Sequence, residues 1–352
     1  MANQNKYLVL KGCAGLGNRF LTIKDAIQYA KDTDRILYVD WSDGWHLEKG
    51  KNSFYEFFDL CNVKHITTIE PILNALKNGA STYPGNLSLK DLEEDIYSNY
   101  FFKQHNVNKY LYSYFHFLNK TAWSFLLCGA YWYRTVESVS NPFKKLLTPI
   151  DPRNKMVYGT LLNRTERTED IVCFVDFGSF ENLHGMFKDI IIRDWILQRL
   201  KNFAIQYELN DRIAVHIRAT DKKPNSSIEN LITAIRNNYL SNVKGIFLST
   251  DNPSIEELFY KHFKEKVICY PKEMPAIGIE DVGKENFGGI HHWIRNKDIS
   301  KKRMLFEATI ADMWLLSMCK YLLWQGNSSF SMISAELMPN KNNIFDWTSL
   351  NG

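Results

Sequence analysis

Residues 7 to 39 constrain the fold more than any other part of the chain. Tyr7 to Lys11 has the pattern of a short strand that ends at Gly12, and Ala14-Gly15-Leu16-Gly17-Asn18 is a glycine-rich turn. Beyond the turn, Phe20, Ile23, Ile27 and Ala30 recur at helical spacing as far as Lys31, which marks one apolar face of an amphipathic helix. Ile36 to Val39 is the next strand, closed by Asp40-Trp41-Ser42-Asp43-Gly44. Strand, turn, helix and strand make a βαβ unit, with two parallel strands joined by a crossover helix. A chain carrying it is expected to fold as α/β.

The glycine turn supports two readings. In one, Gly15 and Gly17 only let the backbone turn tightly into the helix. In the other, they bring backbone N–H groups and the helix N-terminus up to a ligand. The full GxGxxG spacing is absent, and no Gly-Lys-Ser/Thr follows as in a Walker sequence, so the turn alone selects neither reading.

At 352 residues the chain is long for a single core, and two domains are expected, 1–195 and 196–352. From about Ser53 to Lys145 it reads as mostly helical with loops, and the apolar-aromatic run from Ala122 to Trp132 as a buried helix. That run falls well short of the ~20 residues a membrane span requires. No targeting segment is expected either, since Met1 to Tyr7 leads straight into a strand. The six cysteines are dispersed and form no CxxC pair, which suits buried thiols in a reducing, cytoplasmic setting. The 43 basic residues exceed the 39 acidic ones too slightly to indicate nucleic acid, but leave room for a local basic pocket. Ile171 to Asp176 is a further strand, and the helix Trp195 to Tyr207 bridges the halves.

The densest chemistry lies at residues 212 to 223. Ile213 to Ile217 is a strand, and Arg218, Asp221, Lys222 and Lys223 gather beyond its C-terminal end. In an open α/β sheet that end is where ligands bind. Arg218 can fork onto two phosphate oxygens, Lys222 adds a compact cation, Asp221 can orient either, and Thr220 can cap the turn. Surface salt bridges around a packed His216 would leave the same pattern. Gly245 to Asp251 is a strand with a polar end, followed by a helix starting at Asn252-Pro253-Ser254. Lys266 to Tyr270 is another strand, Phe306 to Cys319 a long helix and Tyr321 to Trp324 a late strand. The hydroxyl-rich turn Gln325 to Ser331 then precedes a helix around Met332 to Met338. Ser328 and Ser329 suit phosphate or sugar contacts there, and suit helix capping equally.

Taken in order, these segments resemble the α-1,6-fucosyltransferase and NodZ-like nodulation fucosyltransferase superfamily. The matching residues are Gly15-Leu16-Gly17, His216-Ile217-Arg218-Ala219-Thr220-Asp221-Lys222, Leu248 to Ser254, the helix containing Asp312, and Ser328/Ser329. The resemblance implies a GT-B-like fold, with two Rossmann-like domains facing an interdomain cleft and the nucleotide held by the second. It implies inverting, metal-free transfer of fucose from GDP-fucose to a carbohydrate acceptor. By position, Arg218 would bind the β-phosphate, while Asp221 and Lys222 would shape the donor pocket. Asp312, Ser328 and Ser329 would contact the nucleotide or its phosphates. His216 would orient the strand end or touch the donor, and Asp251 would line the site or support it. Gly15 and Gly17 would approach the ligand from the first domain.

Two departures qualify this expectation. Ala219 stands where these enzymes often carry a second basic residue, and Ser226 stands where one branch carries a glutamate proposed as the base. Glu229, one helical turn on, is the candidate substitute. Another nucleotide sugar as donor, or a fold kept for glycan or nucleotide binding without transfer, are the alternatives. Oligomeric state is not indicated.

Overall fold

The structure is a computed structural model and describes residues 5–12, 14–83, 87, 92, 167–175, 183–220, 224, 226–278 and 290–349. The expected helix at 122–132, the remainder of the helical region from 93 to 145, and the turn at Gly178 lie outside them. The expected βαβ unit is present as β1 (Tyr7–Lys11), α1 (Leu16–Asp32) and β2 (Ile36–Asp40). Two short helices, α2 (Ser53–Phe57) and α3 (Glu70–Lys77), follow, with strands β3 (Phe58–Leu60) and β4 (Thr82–Tyr83) among them. The mostly helical reading of this region missed the two strands. Strand β5 (Ile171–Val175) completes a parallel sheet in the order β2-β1-β5-β4. Strand β6 (Ile190–Ile192) pairs antiparallel with β3.

Helix α4 (Asp194–Gln206) leads into the second sheet, built from β7 (Arg212–Ile217), β8 (Gly245–Thr250), β9 (Val267–Ile268), β10 (Tyr321–Trp324) and β11 (Ile344–Asp346). All five are parallel, in the order β11-β10-β7-β8-β9. β7 is central and covered on both faces, which is why Ile213 to Ile217 reads as a nearly continuous apolar run. Its helices are α5 (Ile228–Ala234), α6 (Pro253–Phe263), α7 (Ile290–Arg295), α8 (Ile299–Ser317) and α9 (Ser329–Leu337). α6 begins where its signals predicted, with Asn252 as N-cap, whose side chain accepts from Ser254 N at 2.9 Å, and with Pro253 in the first turn. α8 starts seven residues before the Phe306 read from the apolar pattern, because Asp298 caps a solvent-facing, lysine-rich first turn.

The core does not stop between the halves. Leu8, Leu10 and Phe20 share one buried cluster with Ala214, Phe247, Phe306 and Trp314. Phe20 of α1 packs against Phe58 at 5.1 Å, Phe187 at 5.4 Å, Trp41 at 5.8 Å and Trp314 of α8 at 5.8 Å between ring centroids. α1 therefore lies between its own sheet and the helices α8 and α9 of the second half.

Gly17 makes that seam possible. A Cβ on Gly17 would sit 2.7 Å from both Phe330 N and Ser329 C, against backbone that cannot swing aside. The left-handed residue of the turn is Ala14 (φ 59°), while Gly15 is extended at the helix N-cap. The glycines of this turn thus serve close approach more than tight turning. Gly17→Ala is expected to force α1 and α9 apart at a cost of about 1–3 kcal/mol. A fall in the thermal midpoint, measured by calorimetry, checks it; an unchanged midpoint would show that the seam is loose.

Candidate functional site

All five strands of the second sheet run parallel, so their carboxyl ends share one edge. Arg218 emerges from β7, Ser249, Thr250 and Asp251 end β8, and Gln325 to Ser328 follow β10. This is the edge at which the fold class binds ligands.

The backbone there is fixed by buried polar contacts. Gln325, fully buried, accepts the Arg218 N–H through Oε1 at 2.8 Å and donates through Nε2 to Asn327 Oδ1 at 2.9 Å. Asp251 accepts from Ala219 N through Oδ1 and from Thr220 Oγ1 through Oδ2, each at 2.7 Å. Asp251 thus holds the segment after Arg218 in place, and Thr220 bonds this carboxylate as a hydroxyl donor. Trp347 Nε1 donates to the His216 carbonyl at 3.0 Å, tying the C-terminal segment to β7. Arg218 is half-buried, with its main chain held from both sides.

His216 is buried, its ring stacked 5.1 Å from Phe330 at the start of α9. Burial first, then the neighbouring Arg218 and Lys272 charges, push its pKa down to about 3, so the ring is neutral at ordinary pH. Its Nδ1 has no hydrogen-bond partner, and neither has the buried Oγ of Ser328 across Phe330. Ser328 occupies the N-cap of α9 without making the side-chain capping bond expected of it. Ser329 faces α1, its Oγ 2.8 Å from the point a Gly17 Cβ would occupy.

Lys272, on the loop after β9, was not singled out by sequence reading. It is buried and ion-paired with Asp312 of α8. Burial opposes its charge, yet the Asp312 carboxylate keeps its pKa above the ordinary lysine value. Asp312, expected at the nucleotide, is here the counter-ion of Lys272. The loop carrying Lys272 is fastened across the sheet edge by Asn252 Nδ2 donating to Gly278 O (3.3 Å) and Ser254 Oγ donating to Ile277 O (3.2 Å). Two prolines, Pro271 and Pro275, and a lone lysine marked this loop, and none of them belongs to a motif.

The glycine turn meets this edge. Gly17 touches the α9 N-terminus, and Gly15 faces His291 of α7, whose Nδ1 lies 3.3 Å from where a Cβ would stand. His216, Arg218, Ser328 and Ser329 are therefore gathered near Gly15 and Gly17, with Lys272 and Asp312 behind them. Glu229 stands apart on the exposed first turn of α5, and no described hydrogen bond or ion pair joins it to the others. Asp221 and Lys222 lie outside the described residues.

Two parallel, Rossmann-like α/β halves meeting in this manner define a GT-B-like fold, as expected. Among solved structures, the chain is similar to NodZ α-1,6-fucosyltransferase co-crystallised with GDP, at 16% identity over 96% of this chain and 94% of that one (TM-score 0.55). It is also similar to fucosyltransferase NodZ from Bradyrhizobium, at 15% identity over 96% and 94% of the two chains (TM-score 0.55). POFUT1 in complex with GDP aligns over 98% of this chain and 99% of its own at 13% identity (TM-score 0.50). At such identities the likeness establishes the fold. No family model matches the chain, and no curated protein matches it by sequence.

The neutral His216 has a consequence for acid stability. Once unfolded, it regains an ordinary pKa of 6.5, so between about 3 and 6.5 the unfolded chain binds the extra proton. Stability is expected to fall as the pH drops through that window. His216→Gln should make the thermal midpoint less steep in pH between 6.5 and 4 than in the parent chain. Equal slopes would show that the ring titrates normally.

Proposed function

We propose that this protein is a glycosyltransferase that moves fucose from GDP-fucose to a carbohydrate hydroxyl, with residues 196–352 as the donor side and 1–195 as the acceptor side. The observation that carries the reading is the pair of unsatisfied buried polar atoms, His216 Nδ1 and Ser328 Oγ, set beside Arg218. Each buried polar atom without a partner costs about 1–3 kcal/mol unless water or ligand meets it. A nucleoside diphosphate would supply acceptors and donors to both while its phosphates lie near Arg218 and the α9 N-terminus. The solved structures with this fold include NodZ soaked with GDP-fucose, which favours this donor over other nucleotide sugars.

In the proposed reaction the acceptor oxygen attacks the sugar's anomeric carbon as the bond to the β-phosphate breaks, inverting that centre. Negative charge builds on the departing GDP. Arg218 and the positive end of α9 stabilise that charge, with no divalent metal required. Lys272 raises the local potential from behind, and Asp312 keeps it fixed. Glu229 is proposed as the base that takes the acceptor proton, in the place left by Ser226.

Arg218→Ala is expected to weaken GDP binding about ten- to a hundredfold, the size of a lost charge-assisted contact. Titration calorimetry with and without a chelator reads this, and binding that survives the substitution would remove the phosphate assignment. Glu229→Gln should lower kcat about a hundredfold or more while leaving GDP affinity unchanged. A variant as fast as the parent would assign the proton to another group.

A further inference from the structure

One run of buried hydrogen bonds joins the ends of neighbouring strands at the carboxyl edge of the second sheet. β10 lies between β7 and β11, and Gln325 is the first residue beyond it. The Gln325 side chain is fully buried, and a primary amide can accept and donate at once. Its Oε1 accepts the Arg218 N–H at 2.8 Å, and its Nε2 donates to Asn327 Oδ1 at 2.9 Å. Its main-chain carbonyl serves α9 instead, accepting from Ser328 N and from Ser331 Oγ, each at 3.0 Å. A single residue therefore holds both the backbone of Arg218 and the N-cap of α9.

The next strand end keeps this turn in place. Gly326 N donates to Asp346 Oδ1 at 3.2 Å, and a Cβ on Gly326 would collide with the Asp346 carboxylate, so the turn is pressed against the end of β11. Asp346 Oδ1 also accepts from Thr348 N at 2.9 Å and Thr348 Oγ1 at 2.6 Å. Those bonds order the segment carrying Trp347, whose Nε1 donates to the His216 carbonyl. The end of β7 is thus gripped on either side of Ile217, at the His216 carbonyl and at the Arg218 N–H.

In the donor site proposed above, Arg218 and the N-terminus of α9 are the groups that meet phosphate. A diphosphate engages both at one separation, whereas a monophosphate needs only one of them. A residue that fixes this separation bears on the number of phosphates more than on affinity in general. We propose that Gln325 is a positioning residue that sets the spacing between Arg218 and the α9 N-terminus, and through it the preference for a nucleoside diphosphate over a monophosphate. The proposal rests on the donor reading of that edge. Ser328, whose buried Oγ has no hydrogen-bond partner, lies on the segment that Gln325 holds, so a shift of the turn moves it as well.

The test is titration calorimetry of the full chain with GDP, GMP and guanosine, beside thermal melts. Gln325→Met keeps the length of the side chain but leaves the Arg218 N–H without its acceptor. It is expected to lower the GDP-over-GMP affinity ratio about tenfold while guanosine affinity holds. Ser331→Ala removes a single oxygen on the α9 side and should lower the ratio about threefold. It decides the question should Gln325→Met fail to fold. In an Arg218→Ala background, Gln325→Met should change the ratio no further, because residues that act through one another are not additive. A glutamine serving the fold alone would lower the thermal midpoint and leave the ratio in place, or weaken all three ligands alike. Either result would overturn the proposal, as would full additivity with Arg218→Ala. A parent chain that binds GDP no tighter than guanosine would remove the donor reading and this proposal together. A parent that prefers GDP, with the ratio intact in both variants, would overturn the positioning role alone.

Discussion

The contact between α1 and α9 is the constraint on which the site depends. Two helices from different halves meet at their N-terminal ends, and Gly17 lets them approach to backbone contact with Ser329 and Phe330. Helix N-termini carry unpaired N–H groups and partial positive charge, so bringing two together is unfavourable unless something between them accepts those bonds. The apolar packing around the contact, Phe330 stacked on His216 and Phe20 against Trp314, offsets part of that cost. The polar edge is held in place by the large apolar contact behind it.

Buried ion pairs do similar positioning in both halves. Lys11 pairs with Asp40 at the ends of β1 and β2, Arg19 with Asp43 beside the turn, and Lys272 with Asp312 at the carboxyl edge of the second sheet. Such pairs contribute little net stability, since desolvation offsets their attraction. Their effect is geometric: each fixes a charge near a place where the sheets present their carboxyl ends. The halves therefore resemble each other in electrostatic plan as well as in having parallel sheets.

Much of this was legible in the sequence, for a physical reason. The βαβ unit, β7, β8, β10 and the start of α6 announce themselves because strands covered on both faces must be apolar and helix starts need caps. His216, Arg218, Ser328 and Asp251 could be singled out as candidates because they lie at or just beyond strand ends. Lys272 was not, since nothing local distinguishes an ion-paired lysine on a loop; only Asp312, forty residues away, gives it meaning. The pairing of Asp312 with Lys272 was hidden for the same reason. The early part of α8 was hidden because Lys301, Arg303 and Met304 are exposed and Lys302 is polar, which erases the apolar period. Gln325 was quoted as part of a turn, but its grip on the Arg218 N–H is a long-range fact.

The shared aromatic seam also bears on how such a protein can diversify. Domains joined by small polar interfaces can rock against one another or be exchanged like cassettes. Here Phe20 and Trp314 belong to one core, so a second half taken from another protein would have to match its partner ring for ring. Change is thus channelled to exposed positions of the loops at the sheet edges, such as Glu48 and Lys49, which can vary without disturbing that packing. The halves inherit together, and the rim between them is what is free to change.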